Sequence, residues 1–477
     1  MKEKLKNFTA FTQELYPHEV AYLQHIAEFQ DEENQAILNR IVYNSQQEAD
    51  FLPFDTSIDK RKYSRIKKWI QKKLQLIDVD QQYAWITRME SAILQDNILP
   101  HEEKELLKAL EKSCPPPFYL TKQFDLARHF RQYLLIRMRH SAYQKVNSYM
   151  AQEEDIYLKA IKTFESIHEA TVDITNQYSL NNTESQQWEE SLQSIFYDEK
   201  LDGLNRYRAA VRLNFIYINY REYERLQQIL HHLDGLFERG LFYSRRILAN
   251  YYFNRLLFHS LIGEQETAIK YGYLSIRHQN ADYLHYVNSL STVLLKGMRE
   301  KEALDLLSEA LPSIKNSPNS HTRVAFATNY IRCLQQNGML KEGKRYAEIF
   351  LRGYKDQVLT QRWHGFFTAY IRILLVLEEY EVINKTASRY KLLKREESYK
   401  VRPGYVPGLY WYMLMAQYKE GLINQDYLQE QLHYSGKKAF MSAPKTRQIM
   451  CELIEELSPH LPTIIKEVKQ EIGIQST

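Results

Sequence analysis

Short turn signals recur at nearly regular intervals from about residue 203 onward, and each of them separates two apolar helical stretches. They lie at Asn219, Gly263, Gly297, Gly338, Glu378 and Gly421. By subtraction the spacings are 44, 34, 41, 40 and 43 residues, which is the length of one helical hairpin with its loop. A single hairpin cannot bury both of its faces, so neighbouring hairpins must stack. The spacing therefore predicts an array of about five or six helical hairpins.

The amino-acid composition agrees with a helical protein. Only 15 Gly and 13 Pro occur among 477 residues, too few for a β-rich fold, and 44% hydrophobic residues are too many for a disordered chain. Basic and acidic residues nearly balance, at 63 and 59, so the net charge favours neither nucleic acid nor a membrane as partner. We therefore expect an all-α fold in which any charge signal is local.

Small residues recur in the second helix of several predicted hairpins. They are Ala268, Ala303, Ala310 and Gly343, with the larger Leu307 between the two alanines of one hairpin. Small side chains at these positions allow the two helices of a hairpin to approach closely. In this pattern the chain resembles the tetratricopeptide-repeat (TPR) family.

The resemblance implies a right-handed superhelical array of helix-turn-helix hairpins, an α-solenoid, over residues 203–436. In TPR proteins the first helices of the hairpins commonly line the concave surface that binds ligand. The matching positions in this chain are Asn254, Asn288, Asn329, Arg332 and Arg372. Each of the three Asn residues precedes a turn Gly by nine residues. Two roles are open to these amides, either binding an extended peptide or tying adjacent repeats together.

The chain upstream of the array predicts further helices. We expect an N-terminal helical module over residues 1–114, connecting helices or divergent repeats over 115–202, the array over 203–436, and a C-terminal capping helix and tail over 437–477. The triplet Pro115-Pro116-Pro117 marks the first boundary, because proline cannot continue a helix. Asp80 is predicted to cap a helix over 81–94, and two long helices are predicted over 124–150 and 156–178.

Motifs that would indicate catalysis or metal binding are absent from the sequence. It contains no phosphate-binding glycine loop, no HExxH or Cys/His zinc pattern, and no GxSxG motif. Asp78 and Asp80 place two carboxylates close together, as metal sites do, but their position before an apolar-periodic stretch favours helix capping. Cys114, Cys333 and Cys451 lie far apart and predict reduced, mostly buried thiols. We expect a non-catalytic protein with neither cofactor nor metal.

Two basic helices are candidate contact surfaces. In the first, Ile66, Trp69, Ile70 and Leu74 form one apolar stripe. The basic residues around this stripe are Lys60, Arg61, Lys62, Arg65, Lys67, Lys68, Lys72 and Lys73. The second covers residues 128–139 and places arginines among aromatic residues. Each helix is typical either of a phosphate-binding surface or of a core helix with a solvated, ion-paired face.

These features predict a scaffold, adaptor or regulator that binds a peptide or another protein in a TPR-like groove. The alternative is a nucleic-acid-associated protein that contacts phosphates through residues 60–73 and 128–139. No stretch of the sequence has the length and hydrophobicity of a signal peptide or a membrane span. We therefore expect a cytoplasmic protein without membrane contact.

Overall fold

The computed structural model describes residues 5–46, 51–111, 116–180, 184–402, 405–441 and 444–472. Every regular element in these ranges is a helix, which confirms the all-α fold class. Cys114 and Pro115, and with Pro115 part of the predicted proline boundary, lie outside the described residues. Within the described ranges, no helix combines the length and hydrophobicity that a membrane span requires.

The chain divides into two compact units, Met1–His278 (unit 1) and Gln279–Thr477 (unit 2). This division falls inside the stretch 203–436 that is predicted as one array. The helices of unit 1 are α1 (Lys6–Gln13), α2 (Pro17–His25), α3 (Glu32–Gln46), α4 (Lys60–Ile77), α5 (Val79–Leu94), α6 (Pro100–Leu110), α7 (Leu120–Ile136), α8 (His140–Leu180), α9 (Glu189–Tyr197), α10 (Gly203–Tyr220), α11 (Tyr223–Glu238), α12 (Arg245–Ile262) and α13 (Gln265–Ile276).

Unit 2 continues with helices of similar length. They are α14 (Tyr283–Lys296), α15 (Glu300–Ala310), α16 (Ser320–Gln336), α17 (Leu340–Gln357), α18 (Trp363–Val376), α19 (Tyr380–Arg389), α20 (Leu392–Tyr399), α21 (Gly408–Lys419), α22 (Gln425–Phe440), α23 (Pro444–Leu457) and α24 (Pro462–Ile472). A π-helical segment, Val358–Arg362, joins α17 to α18.

The predicted turns separate helices, as the spacing indicates. Four of them place a left-handed residue at the predicted position, namely Gly263, Gly338, Glu378 and Gly421. The other two turns fall slightly later, with the left-handed residue at Met298 and Arg221. Glycine adopts this conformation without steric cost, whereas Glu, Met and Arg do so at some cost.

The small residues of the predicted hairpins are buried between helices. Ala268 and Ala303 are both 0% exposed. A Cβ atom added to Gly343 on α17 would lie 3.4 Å from Cβ of Leu334 on α16, in the same hairpin, and 2.6 Å from Cδ1 of Ile373 on α18. The prediction that these positions permit close helix approach is confirmed.

In unit 2 the first helices of successive hairpins pack on one another. α14 contacts α16, α16 contacts α18, and α18 contacts α21. The second helices α15, α17 and α19 each pack on the first helix of their own hairpin and on that of the next. The first helices therefore form a continuous row within unit 2.

The prediction that Asp80 caps α5 is wrong, because the cap is Asp78. The Oδ1 atom of Asp78 accepts hydrogen bonds from the backbone N–H groups of Asp80 at 2.9 Å and Gln81 at 3.3 Å. Asp80 lies in the first turn and binds the guanidinium of Arg246 through both carboxylate oxygens, at 2.6 and 3.0 Å. The preference for capping over a metal role at this carboxylate pair is confirmed for Asp78.

The predicted break between two long helices near residue 153 is also wrong. α7 ends at Ile136, α8 begins at His140, and Met138 has a left-handed φ of 56°. α8 then runs unbroken through the acidic stretch 153–155. Glu is a good helix former, so a short acidic run does not end a helix when no Gly or Pro accompanies it.

Candidate partner-binding site

The predicted Asn residues lie in α12, α14 and α16. Asn254 belongs to unit 1, is 6% exposed, and donates from Nδ2 to Oδ1 of Asn250 in its own helix at 3.3 Å. Asn288 in unit 2 is equally buried and donates to the carbonyl oxygen of Thr322 on α16 at 3.1 Å. Asn329 on α16 donates back to the carbonyl oxygen of Asn288 at 3.0 Å. The contacts of Asn288 and Asn329 match the packing alternative.

Arg332 on α16 points away from the core. Its neighbours Ile331 and Cys333 are both 0% exposed, whereas the Arg332 side chain is exposed. It forms no hydrogen bond or ion pair within the part of the chain that the structure describes. Surrounding protein and then the positive charge of Arg372 lower the pKa of its guanidinium. Because Arg332 is an exposed cation without a counter-charge among the described residues, we treat it as the centre of a candidate anion-binding site.

Arg372 on α18, next to Arg332, already has a counter-charge. Its Nε donates to Oε1 of Glu456 at 2.7 Å, and the Tyr412 hydroxyl donates to Oε2 of the same carboxylate at 2.8 Å. Tyr412 is 3% exposed, and burial raises its pKa, so its hydroxyl keeps its proton. Glu456 therefore neutralises Arg372 and leaves Arg332 unpaired. This arrangement favours a negatively charged group from a binding partner over Arg332.

A second polar cluster lies on the same row of first helices, at the start of α16. His321 accepts a hydrogen bond from Nε of Arg362 at 2.8 Å. Burial and the charge of Arg362 lower the pKa of the His321 imidazole, in agreement with a neutral acceptor ring. The cluster therefore offers polar hydrogen-bonding groups beside the exposed side chain of Arg362.

The basic helix α4 has the predicted amphipathic form. Ile66, Ile70 and Leu74 are buried, and half-buried Trp69 packs against the ring of Phe29 at 4.8 Å. Among its cations, Lys62 is ion-paired with Asp31 and Glu33, and the ammonium of Lys67 lies 4.6 Å from the ring centroid of Phe11. Exposed side chains on this face are those of Lys60, Arg61, Arg65, Lys68 and Lys72, while that of Lys73 is half-buried.

The arginines of the stretch 128–139 are engaged by neighbouring helices. Arg137 pairs with Asp96 at 2.7 Å and Arg139 with Glu103 at 3.1 Å. Arg128 donates to the Tyr157 hydroxyl at 2.9 Å. These contacts agree with the structural alternative for this stretch, in which arginines pair with adjacent helices.

Unit 1 also contains a cleft of about 1080 Å³ between α5, α10 and the segment around Phe242. Arg206, one of its lining residues, is 5% exposed. Its Nε donates to the carbonyl oxygen of Phe196 at 3.0 Å, and its guanidinium lies 5.2 Å from the ring of Phe242. The guanidinium of Arg206 is therefore buried in the wall of the cleft and contacts protein groups.

A basic cleft in unit 2 does not appear among the sequence predictions. It is lined by Lys355, Leu359, Trp363, Arg389, Tyr390, Lys391, Lys394, Arg395, Ser398, Tyr399 and Arg402. The sequence holds a signal for it, since four Lys and Arg residues occur between 389 and 395. The aromatic and basic residues contributed by 355–363 join them only through the fold.

Among the described residues, no group of three or more His, Cys, Asp or Glu side chains has the geometry to hold a metal ion. The thiol of Cys333 is buried, and Cys451 is half-buried. Comparison of the chain with protein-family models, curated proteins and solved structures finds no match. The resemblance to TPR proteins therefore depends on the residue pattern alone.

Proposed function

We propose that the protein is a non-catalytic scaffold, adaptor or regulator that binds an acidic segment of a partner protein. In this proposal the hairpins of unit 2 form a TPR-like solenoid segment whose first helices line the binding groove. The successive packing of α14, α16, α18 and α21 supports that arrangement. The observation that carries the proposal is Arg332, an exposed guanidinium without a counter-charge among the described residues.

An Arg side chain in this setting suits a carboxylate, because its planar guanidinium donates two parallel hydrogen bonds to the two oxygens. Binding energy at such interfaces comes mainly from a few anchors, among which Arg is enriched. The packed Asn288 and Asn329 would fix the spacing of α14 and α16 rather than contact the partner. Arg332 and its surroundings are therefore the part of the groove that selects the partner.

The test is affinity capture from a lysate of the source organism with three baits, followed by mass spectrometry. The baits are the wild type, Arg332→Glu, and the control Arg352→Glu, which makes the same change at an exposed position of α17. We expect a protein that the wild type and the control retain and that Arg332→Glu loses, with or without nuclease treatment. Titration of the purified partner against Arg332→Ala should then show about tenfold or weaker affinity.

Two outcomes would contradict the proposal. Equal capture of every protein by all three baits would exclude Arg332 as an anchor. Capture that nuclease abolishes, and that Arg332→Glu leaves unchanged, would favour the nucleic-acid alternative and the exposed cations of α4.

A further inference from the structure

The basic cleft of unit 2 has a volume of about 570 Å³ and is built from two stretches of chain, residues 355–363 and 389–402. Lys355 comes from the last turn of α17, Leu359 from the π-helical segment, and Trp363 from the start of α18. The end of α19, the turn at Lys391 and helix α20 complete its walls. It includes neither Arg332 nor Arg372, so it is separate from the site of the proposed function.

Positive charge dominates the lining of this cleft. Six of its eleven lining residues are Lys or Arg, and none of these described residues is acidic. Five of the cations form neither an ion pair nor a side-chain hydrogen bond with a described residue. They are Lys355, Arg389, Lys391, Lys394 and Arg402. Like charges that line one cleft repel one another, and a bound polyanion would relieve that repulsion.

The sixth cation, Arg395, is held in place by the protein. Its Nε donates to the carbonyl oxygen of Tyr390 at 3.3 Å, and its Nη1 donates to that of Leu359 at 3.1 Å. The guanidinium also lies 5.9 Å from the ring of Trp363. Arg395 thus joins α20 to the π-helical segment, and part of the positive wall is preorganised.

Lys391 is placed by an unusual backbone conformation. It has a left-handed φ of 51°, which costs a residue with a Cβ atom about 1 kcal/mol. The next residue, Leu392, is 0% exposed and anchors the start of α20. The sharp turn between α19 and α20 therefore places Lys391 at the cleft, where Lys394 joins it one helical turn later.

We propose that this cleft binds a small ligand that carries adjacent phosphate groups, such as a polyphosphate or the phosphate chain of a nucleoside triphosphate. Its volume lies in the range of small-molecule sites. Lys and Arg are the usual phosphate-binding side chains. The ring of Tyr399 already stacks on His364 at 4.2 Å, and Arg402 lies 4.6 Å from it, so charge rather than base stacking selects the ligand.

The experiment is calorimetric titration of the full chain with sodium tripolyphosphate, a nucleoside triphosphate, a single-stranded oligonucleotide, and citrate as a polyanion without phosphate. The variant is Lys391→Asn/Lys394→Ala. It removes two cations, and Asn tolerates both the left-handed φ and the position before a helix. The control, Lys301→Ala/Lys341→Ala, removes two exposed lysines of unit 2 outside the cleft. Circular dichroism checks that both variants keep the wild-type helix content.

We expect tripolyphosphate to bind the wild type and the control equally and the cleft variant at least about tenfold more weakly. If the nucleoside triphosphate also binds the wild type, and the cleft variant binds it at least about tenfold more weakly, the phosphate groups can come from a nucleotide. Four results would each overturn the proposal: wild-type dissociation constants above about 1 mM, no effect of the cleft variant, citrate binding as tight as tripolyphosphate binding, or binding of the oligonucleotide alone.

Discussion

The side-chain amide of Asn329 in unit 2 packs between helices, although the TPR-like Asn pattern also allows it a role in binding a partner. Nδ2 of Asn329 lies within hydrogen-bonding distance of three oxygens, the Asn288 carbonyl at 3.0 Å, Thr292 Oγ1 at 3.2 Å and Ser291 Oγ at 3.3 Å. Ser291 itself is 0% exposed. The side chain of Asn329 therefore bridges α16 to α14.

We expect Asn329→Ala to lower the free energy of unfolding by about 1 to 2 kcal/mol, because buried oxygens on α14 lose their donor. Urea unfolding followed by circular dichroism measures the change. The control Gln336→Ala alters an exposed residue at the end of the same helix and should stay within about 0.5 kcal/mol of the wild type. An unchanged stability for Asn329→Ala, combined with loss of partner capture, would favour the peptide-binding role of Asn329 over the packing role.

The thiol of Cys333 should be inert in the folded protein. Cys333 is 0% exposed, and burial raises its pKa to about 12, so the reactive thiolate is scarce at pH 8. We expect iodoacetamide to label Cys333 slowly in buffer and rapidly in urea, as measured by mass spectrometry of tryptic peptides. Half-buried Cys451 is the internal comparison. Rapid native labelling of Cys333 would show that α16 opens readily.

At the scale of helices, the sequence correctly predicted the features that depend on the local spacing of apolar residues. The apolar stripe of α4, with Ile66 and Ile70 almost fully buried, follows from three- and four-residue spacing. The choice of Asp78 over Asp80 as a cap and the break at Met138 depend on how the flanking chain packs, which periodicity does not record. The basic cleft joins residues 355–363 to 389–402, so only the fold assembles it.

Close packing between helices leaves little room for a side chain at one glycine of unit 2. A Cβ atom on Gly436 of α22 would lie 2.6 Å from Ile472 Cδ1 and 2.9 Å from Trp411 Cζ2. The Trp411 ring is 0% exposed, and its Nε1 donates to Ser435 Oγ at 2.9 Å, so a shift of the ring costs packing and a hydrogen bond. Gly436→Ala should therefore destabilise by about 1 to 3 kcal/mol, although Ala favours helix.

The control for this prediction is Gly235→Ala inside α11, where an added Cβ meets nothing within 4 Å. It should stabilise by about 0.5 to 1 kcal/mol through helix propensity alone. Thermal melts followed by circular dichroism should thus shift in opposite directions for the two variants. An upward shift for both would show that α21, α22 and α24 pack loosely.

At the scale of the whole chain, the division into two compact units predicts that local damage stays within one unit. In unit 1, contacts of high sequence separation tie α2 to α12 and the residues just before it. Glu19 is 0% exposed and accepts hydrogen bonds from the Tyr243 hydroxyl at 2.6 Å and Arg245 Nε at 2.9 Å. The backbone N–H of Tyr16 donates to the same carboxylate at 2.9 Å. One buried carboxylate thus fixes the N-terminal helices to residues more than two hundred positions later.

Glu19→Ala removes the acceptor of this network and leaves a buried hydroxyl and a partly buried guanidinium without their partner. We expect a loss of about 2 to 3 kcal/mol, which corresponds to hydrogen exchange in α2 that is about 30-fold faster or more. The control Glu14→Ala alters an exposed carboxylate five residues earlier and should leave exchange unchanged. Exchange measured by mass spectrometry should also stay at the wild-type rate in α16 and α18 of unit 2. The effect of Glu19→Ala can stay within unit 1 only if each unit unfolds cooperatively by itself. Faster exchange in α16 and α18 would therefore show that the two units open together.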